Sequence, residues 1–212
     1  PMITRMLREE GMPLDLVYMV PAESNFNVSS RSKKSAVGLW QFIASTGRIY
    51  GLKINRWIDE RRDPVLSTKA AITYLKHLYG IFFYWELAMA AYNTGEGRVK
   101  RAIKRAKRQG KKHSFSSLRL PRETRGYVPT IMSMAVIYKN PERYGFAHVR
   151  KDDPMDETKA SLSVAFSLEE VARRSNMSFR LLRENNTALF LGVPPMTQPR
   201  YSFYVPQRFH KN

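Results

Sequence analysis

Glu23 is the residue in this chain best placed by type and position for acid-base chemistry. It closes the apolar run Leu14-Asp15-Leu16-Val17-Tyr18-Met19-Val20, whose spacing predicts a helix. Behind it a polar loop runs from Asn25 to Ala36 before the chain reaches Gly38-Leu39-Trp40-Gln41. A carboxyl group anchored on a rigid element, with apolar side chains on one flank and solvent on the other, has its pKa raised and can hold a proton near neutral pH. Without such a flank the same residue is an ordinary solvated glutamate, so the case rests on its surroundings. Gly38 reads as a point of close backbone approach. Gln41, set between Trp40 and Phe42, either faces solvent or is held beside a pocket that binds a polar ligand. No Asp or Glu occurs from Asn25 through Phe42, so a second reactive carboxylate would have to come from Asp59, Glu60 or Asp63. Asp59 reads more simply as the partner of Arg61 or Arg62, and Asp63 as a helix cap.

The elements that must carry these residues are helical. Ile3-Met6-Leu7 predicts a first helix, ended by Gly11 and Pro13, and Leu14 to about Glu23 a second, with Pro21 bending its last turn. Asp63-Pro64 starts a long helix, with the acid as N-cap, the proline in the first turn and Gly80 as the stop. Another helix runs from Tyr84 to Tyr92-Asn93, where small alanines permit close packing and Asn93-Thr94-Gly95 ends it. A basic helix follows from Glu96 or Gly97 to Arg108. Pro121 to Pro129 then leads into an apolar helix, Ile131–Tyr138, stopped by Asn140-Pro141.

Composition bounds the partners. The 212 residues suffice for one substantial core and a small appendage, and the formal net charge of +18 calls for an anionic partner or medium: nucleic acid, an acidic membrane face or an anionic cell-wall polymer. The stretch Arg98–Lys112 concentrates that charge over a thin apolar stripe of Val99, Ala102, Ile103 and Ala106. Cysteine is absent, which excludes a disulfide scaffold and thiol catalysis. The four histidines, at 77, 113, 148 and 210, form no metal-ligand spacing, so neither metal nor cofactor is expected. No apolar run approaches the ~20 residues that span a bilayer, and Pro1 opens no signal segment, so targeting information is expected to lie outside this sequence.

After Lys151-Asp152-Asp153-Pro154 the texture changes. Ser167-Leu168-Glu169-Glu170 is a capping box, Ser178 opens a second short helix, and strands are expected at Ser161–Phe166 and Tyr201–Val205. The expected organisation is a mainly α domain over 1–150, a linker over 151–160 and a small βααβ module over 161–212.

Four pieces occur in order: Glu23-Ser24, Gly38-Leu39-Trp40-Gln41-Phe42, Ala91-Tyr92-Asn93-Thr94-Gly95-Glu96-Gly97-Arg98-Val99 and Glu123-Thr124-Arg125-Gly126-Tyr127-Val128-Pro129. Together they resemble the soluble lytic transglycosylase family, with its goose-type-lysozyme-like fold, and within it the membrane-bound lytic murein transglycosylase D branch. The resemblance covers roughly Met2 to Tyr144. It implies cleavage of the β-1,4 bond between N-acetylmuramic acid and N-acetylglucosamine in peptidoglycan, with closure of a 1,6-anhydro ring in place of water addition, in the bacterial periplasm or cell envelope, where any membrane association is expected through a part outside this sequence. Glu23 would be the sole acid and base. Ser32 and Gln41 would lie near the muramoyl sugar, Ile43 at a hydrophobic wall, Tyr92 and Asn93 along the cleft and Tyr127 beside the acid, while Ser24, Gly38 and Trp40 support the site.

The residues are compatible with this, because a substrate-assisted mechanism needs one carboxylate where ordinary glycosidases need two. Lys33-Lys34 departs from the family's usual neutral residues, which bears on substrate preference. The C-terminal module resembles a degenerate LysM unit that lacks the Gly-Asp-Thr opening. Arg98–Lys112 is expected to meet anionic envelope polymers, and no specific nucleic acid is expected. Two rivals remain: a hydrolytic, lysozyme-like glycosidase and a non-catalytic basic module for an anionic polymer or nucleic acid.

Overall fold

Proline and glycine punctuation breaks the chain into short helices. The computed structural model describes residues 1–149, 157–162, 166–194 and 201–206. Among them the order is α1 (Met2–Glu9), α2 (Met19–Ser24), α3 (Ala44–Ile49), α4 (Pro64–Phe82), α5 (Trp85–Thr94), α6 (Glu96–Arg108), α7 (Arg122–Lys139), β1 (Glu157–Leu162), α8 (Leu168–Arg174), α9 (Phe179–Asn185) and β2 (Tyr201–Pro206). The chain is thus mainly α-helical, with a two-stranded antiparallel sheet. It divides into two compact units, each assembled from separated stretches. One joins Met2–Asn25 to the stretch that begins at Lys69; the other joins Phe26–Thr68 to described residues after 156.

In the first of these units Leu7, Met19, Leu75, Leu78, Leu87 and Val128 are buried almost completely. The single helix expected over Leu14–Glu23 is split into a 3-10 turn, Leu14–Tyr18, and α2. Pro21 has no N–H to donate to Val17, and the N–H of Met19 is shared between the Leu16 and Val17 carbonyls, which tightens the turn.

Gly80 does not stop α4. Ile81 and the buried Phe82 extend its apolar face, and the chain turns at Phe83, where φ is +60° and the N–H donates to the Tyr79 carbonyl at 2.7 Å. Helix α7 likewise begins earlier than expected, directly after Pro121, and passes through Pro129. That proline removes one helical hydrogen bond, but Arg125, which loses its donor, is exposed, so water can replace it.

In the other unit the loop before α3 is pinned by Arg61. Its guanidinium makes a buried, two-point contact with Asp59 (2.7 and 2.8 Å) and donates to the carbonyls of Ser35 (3.0 Å) and Phe42 (3.1 Å). Asp63 caps α4, accepting from the N–H groups of Val65 and Leu66 at 2.8 and 2.7 Å. Both acids therefore hold structural positions. Gly38, at φ +84°, lies so close to the Arg61 carbonyl that a Cβ there would sit 1.8 Å from its oxygen.

The C-terminal elements share a core with this unit. Ile58, wholly buried, packs with Leu168, Leu182, Leu189, Phe203 and Val205, and Ile58 and Leu189 form an antiparallel bridge. Ser167 and Ser178 cap α8 and α9 as their spacing predicts. The first strand lies at Glu157–Leu162, earlier than the expected Ser161–Phe166 and partly within the expected linker. Its register is set by β2, where Phe203 and Val205 alternate inward and Leu162 pairs with Tyr201. Residues 151–156 of the expected linker and 163–165 of the expected first strand lie outside the described residues, as do 195–200 of the expected module.

Truncating Ile58 leaves a cavity among side chains drawn from distant parts of the sequence. Ile58→Ala is expected to lower unfolding free energy by about 2–4 kcal/mol, read from the shift of the urea midpoint at unchanged slope.

Candidate active site

Glu23 sits in the last turn of α2, which ends abruptly because Asn25 and Phe26 both adopt left-handed conformations, at φ +49° and +61°. Ser24 is buried, and its hydroxyl donates back to the Val20 carbonyl at 3.3 Å, closing the turn. Helix α7 supplies the facing side chain. The Tyr127 hydroxyl donates to Glu23 Oε1 at 2.5 Å, joining residues 104 positions apart. One turn earlier on α7, the buried Thr124 hydroxyl donates to Asn93 Oδ1 at 2.8 Å. Asn93 and Tyr92 stand at the end of α5, where Gly95 takes a backbone conformation (φ +88°, ψ +138°) open in practice to glycine alone and separates α5 from α6. The Tyr92 ring packs against Tyr74 on α4, with centroids 5.1 Å apart.

The electrostatics converge on Glu23. Burial pushes its carboxyl up to about 7, the hydrogen bond from Tyr127 pulls it partly back, and the charge of Glu123 raises it again. Tyr92 and Tyr127 are both held well above the usual phenol range, first by burial and then by the negative charge of Glu23, so both remain neutral donors. Because Tyr127 occupies Oε1, the other carboxyl oxygen is left to carry the proton.

Glu23, Ser24, Tyr92, Asn93 and Tyr127 thus belong to one unit and are linked directly or through one neighbour. Ser32, Gly38, Trp40, Gln41 and Ile43 belong to the other unit. There Ser32 Oγ accepts the N–H groups of Lys34 and Ala36 at 3.2 and 3.1 Å, which shapes the loop. Gln41, at φ +48°, donates through its side-chain nitrogen to the carbonyls of Gly38 (2.8 Å) and Ser30 (3.3 Å). Trp40 is wholly buried, its indole N–H donating to Thr68 at 2.9 Å, so it is a core residue. Ile43 is 45% exposed.

Sequence reasoning missed Glu123 as a charge acting on the acid, Thr124 as the partner of Asn93 and Tyr74 as the packing partner of Tyr92. Glu123, Thr124 and Tyr127 stand at helical spacing, the signal that could have found them, although Pro129 two residues on is a residue that commonly breaks a helix. Among the described residues no group of three or more His, Asp or Glu side chains is gathered as metal ligands.

Comparison with known proteins gives consistent results. The Transglycosylase SLT domain family matches residues 1–115. Membrane-bound lytic murein transglycosylase D of Escherichia coli is 38% identical over 200 residues, spanning 94% of this chain and 44% of that protein. The chain therefore covers less than half the length of this relative. An inactive Glu-to-Gln mutant of lytic transglycosylase Slt from Pseudomonas aeruginosa matches with a TM-score of 0.53 at 25% identity, over 66% of this chain and 24% of its own. The 70 kDa soluble lytic transglycosylase of Escherichia coli matches in fold with a TM-score of 0.50 at 23% identity, over 69% of this chain and 24% of its own.

Since the Tyr127 hydrogen bond lowers the Glu23 pKa, Tyr127→Phe is expected to raise it above about 7, as read by carbon NMR of the labelled carboxyl. The folded protein also holds this proton more tightly than the unfolded chain. Glu23 therefore contributes its full stability below about 4.5 and loses it as pH rises through about 7. Glu23→Gln should stabilise the protein by up to about 3 kcal/mol more at pH 8 than at pH 4, measured by urea unfolding at both.

Proposed function

The chain belongs to the transglycosylase SLT family, and from that premise we propose that it is a peptidoglycan lytic transglycosylase with Glu23 as its single acid and base. The observation that carries this reading is the desolvated Glu23 carboxyl, raised to about 7 and hydrogen-bonded by Tyr127. Near neutral pH such a group is present in both protonation states, as an acid that must later act as a base requires. In the first step Glu23 gives its proton to the oxygen of the β-1,4 bond between N-acetylmuramic acid and N-acetylglucosamine, and the bond from that oxygen to C1 breaks. The substrate's N-acetyl oxygen stabilises C1. In the second step the Glu23 carboxylate takes the proton of the C6 hydroxyl, whose oxygen bonds to C1 and closes the 1,6-anhydro ring. The proton lost in the first step is regained in the second, and no water is consumed.

One-carboxylate chemistry also fits the commitments of the other acids. Asp59 is taken up by Arg61, Glu60 by the backbone N–H of Lys53 and Asp63 by the start of α4. A structural relative is inactive with glutamine in place of one glutamate, which suits a reading in which one carboxylate is indispensable. In this reading Tyr127 holds the acid, Tyr92 and Asn93 line the cleft, and Ser32, Gln41 and Ile43 contact the muramoyl side of the substrate. Gly38 and Trp40 hold the loop that bears them. The βααβ segment buttresses residues 57–63, against which it packs. The substrate places the protein in the bacterial periplasm or cell envelope, and the basic helix α6 faces an anionic component there.

Digestion of purified sacculi is expected to release muropeptides with 1,6-anhydro ends, identified by mass spectrometry. Glu23→Gln should lower the rate by at least about a hundredfold, in line with the loss of a positioned acid and base. Reducing ends carrying solvent oxygen would identify a hydrolase, and undiminished activity of Glu23→Gln would remove Glu23 from the chemistry.

A further inference from the structure

Helix α6 buries Val99 and Ala106, and most of its remaining surface is cationic. Lys100, Lys104, Lys107 and Arg108 recur at the spacing of one helical face, and together with Ile81, Phe82 and Ile103 they line an open groove of about 580 Å³. Its floor is apolar and its rim carries four positive charges. Lys100 pairs with Glu96 at 2.8 Å; Lys104, Lys107 and Arg108 have no ion-pair partner among the described residues.

The corner between α4 and α5 adjoins this groove in sequence, and folding alone does not account for its composition. Phe83 follows directly on Phe82 of the groove floor. It occupies a left-handed position at φ +60°, where glycine usually ends a helix, and its side chain is 69% exposed. Tyr84 beside it is 59% exposed. A bulky, solvent-exposed aromatic in a strained backbone, one residue in sequence from the floor of a cationic groove, has a use at a boundary between water and hydrocarbon. There its ring leaves water while the neighbouring cations stay among headgroup phosphates.

We propose that the groove of α4 and α6, with the Phe83-Tyr84 corner, docks onto the surface of an anionic phospholipid bilayer. Phe83 and Tyr84 enter the interface, Lys100, Lys104, Lys107 and Arg108 contact lipid phosphates, and the apolar floor accepts the upper part of an acyl chain. No helix among the described residues is long and apolar enough to cross a membrane, so this contact lies on the surface. A soluble polyanion would satisfy the cations but would leave the floor and the two exposed rings without a partner, and that asymmetry favours lipid. The proposal is independent of the catalytic reading, since none of these residues is placed in the cleft.

The test is cosedimentation of the full chain with vesicles of phosphatidylcholine alone or with about a third phosphatidylglycerol. Binding is expected to be at least about tenfold tighter to the anionic vesicles and to weaken as salt rises. The double variant Lys104→Ala/Lys107→Ala should lose roughly tenfold or more, each cation near such a surface contributing about fivefold. Phe83→Gly separates docking from folding, because glycine adopts φ +60° without strain. It should keep or raise the melting temperature, leave sacculus digestion unchanged and still weaken vesicle binding several-fold. Equal binding to neutral and anionic vesicles would overturn the proposal. So would vesicle binding that Phe83→Gly leaves unaltered, the result expected if the face is a site for soluble polyanions such as poly-glutamate.

Discussion

Taking a carboxyl group out of water penalises its charged form, and at Glu23 that penalty is only partly offset by the hydroxyl of Tyr127. The balance depends on two helices whose residues are 104 positions apart in sequence. It also requires α2 to stop immediately after the acid, which the left-handed Asn25 and Phe26 bring about. Asn93, held by Thr124, and Tyr92, held against Tyr74, extend the arrangement to α4 and α5. The proposed chemistry follows from this balance. A more solvated carboxyl would be too acidic to keep its proton, and one without Tyr127 would hold it more tightly and so be a weaker acid toward the glycosidic oxygen.

The loop bearing Ser32 and Gln41 is fixed by a different device. Arg61, balanced by Asp59, spends its remaining donors on two backbone carbonyls of that loop, and the glycine at 38 lets the backbone pass within contact of Arg61 itself. Buried ion pairs contribute little net stability relative to an apolar replacement, but removing one partner leaves a charge stranded in the interior. The pair thus acts chiefly to specify one loop conformation. Gln41 behaves similarly: its amide bonds to the loop's own carbonyls, so its first task is to hold shape.

Much of this could be read in the sequence because it is local. Asp63-Pro64, the serines at 167 and 178 and the glycine at 95 announce helix ends through their own chemistry, and the helices begin or end where those residues predict. Glu23 and Tyr127 drew notice as members of ordered motifs, but their contact is a tertiary fact that spacing alone could not supply. Local rules misled where packing overrode them. Gly80 and Pro129 both sit inside helices because the apolar residues beyond them continue a buried face, as Phe82 and Ile131 do. The role of Ile58 in the C-terminal core was illegible for the same reason: its buried partners lie more than 100 residues later in the chain, from Leu168 onward, and spacing around residue 58 does not signal them.

That core has a consequence for the living cell's assembly of the chain. Ile58 and Trp57 leave the ribosome long before the side chains that will cover them, since the hydrogen bond closing this region joins Arg62 to Thr187 across 125 positions. Tyr127 emerges well before Phe203 and Val205, so the stretches that hold the acid can meet while the second core still awaits its last strand. During that interval the nascent polypeptide carries an uncovered apolar patch around Ile58, the kind of surface through which incomplete chains aggregate.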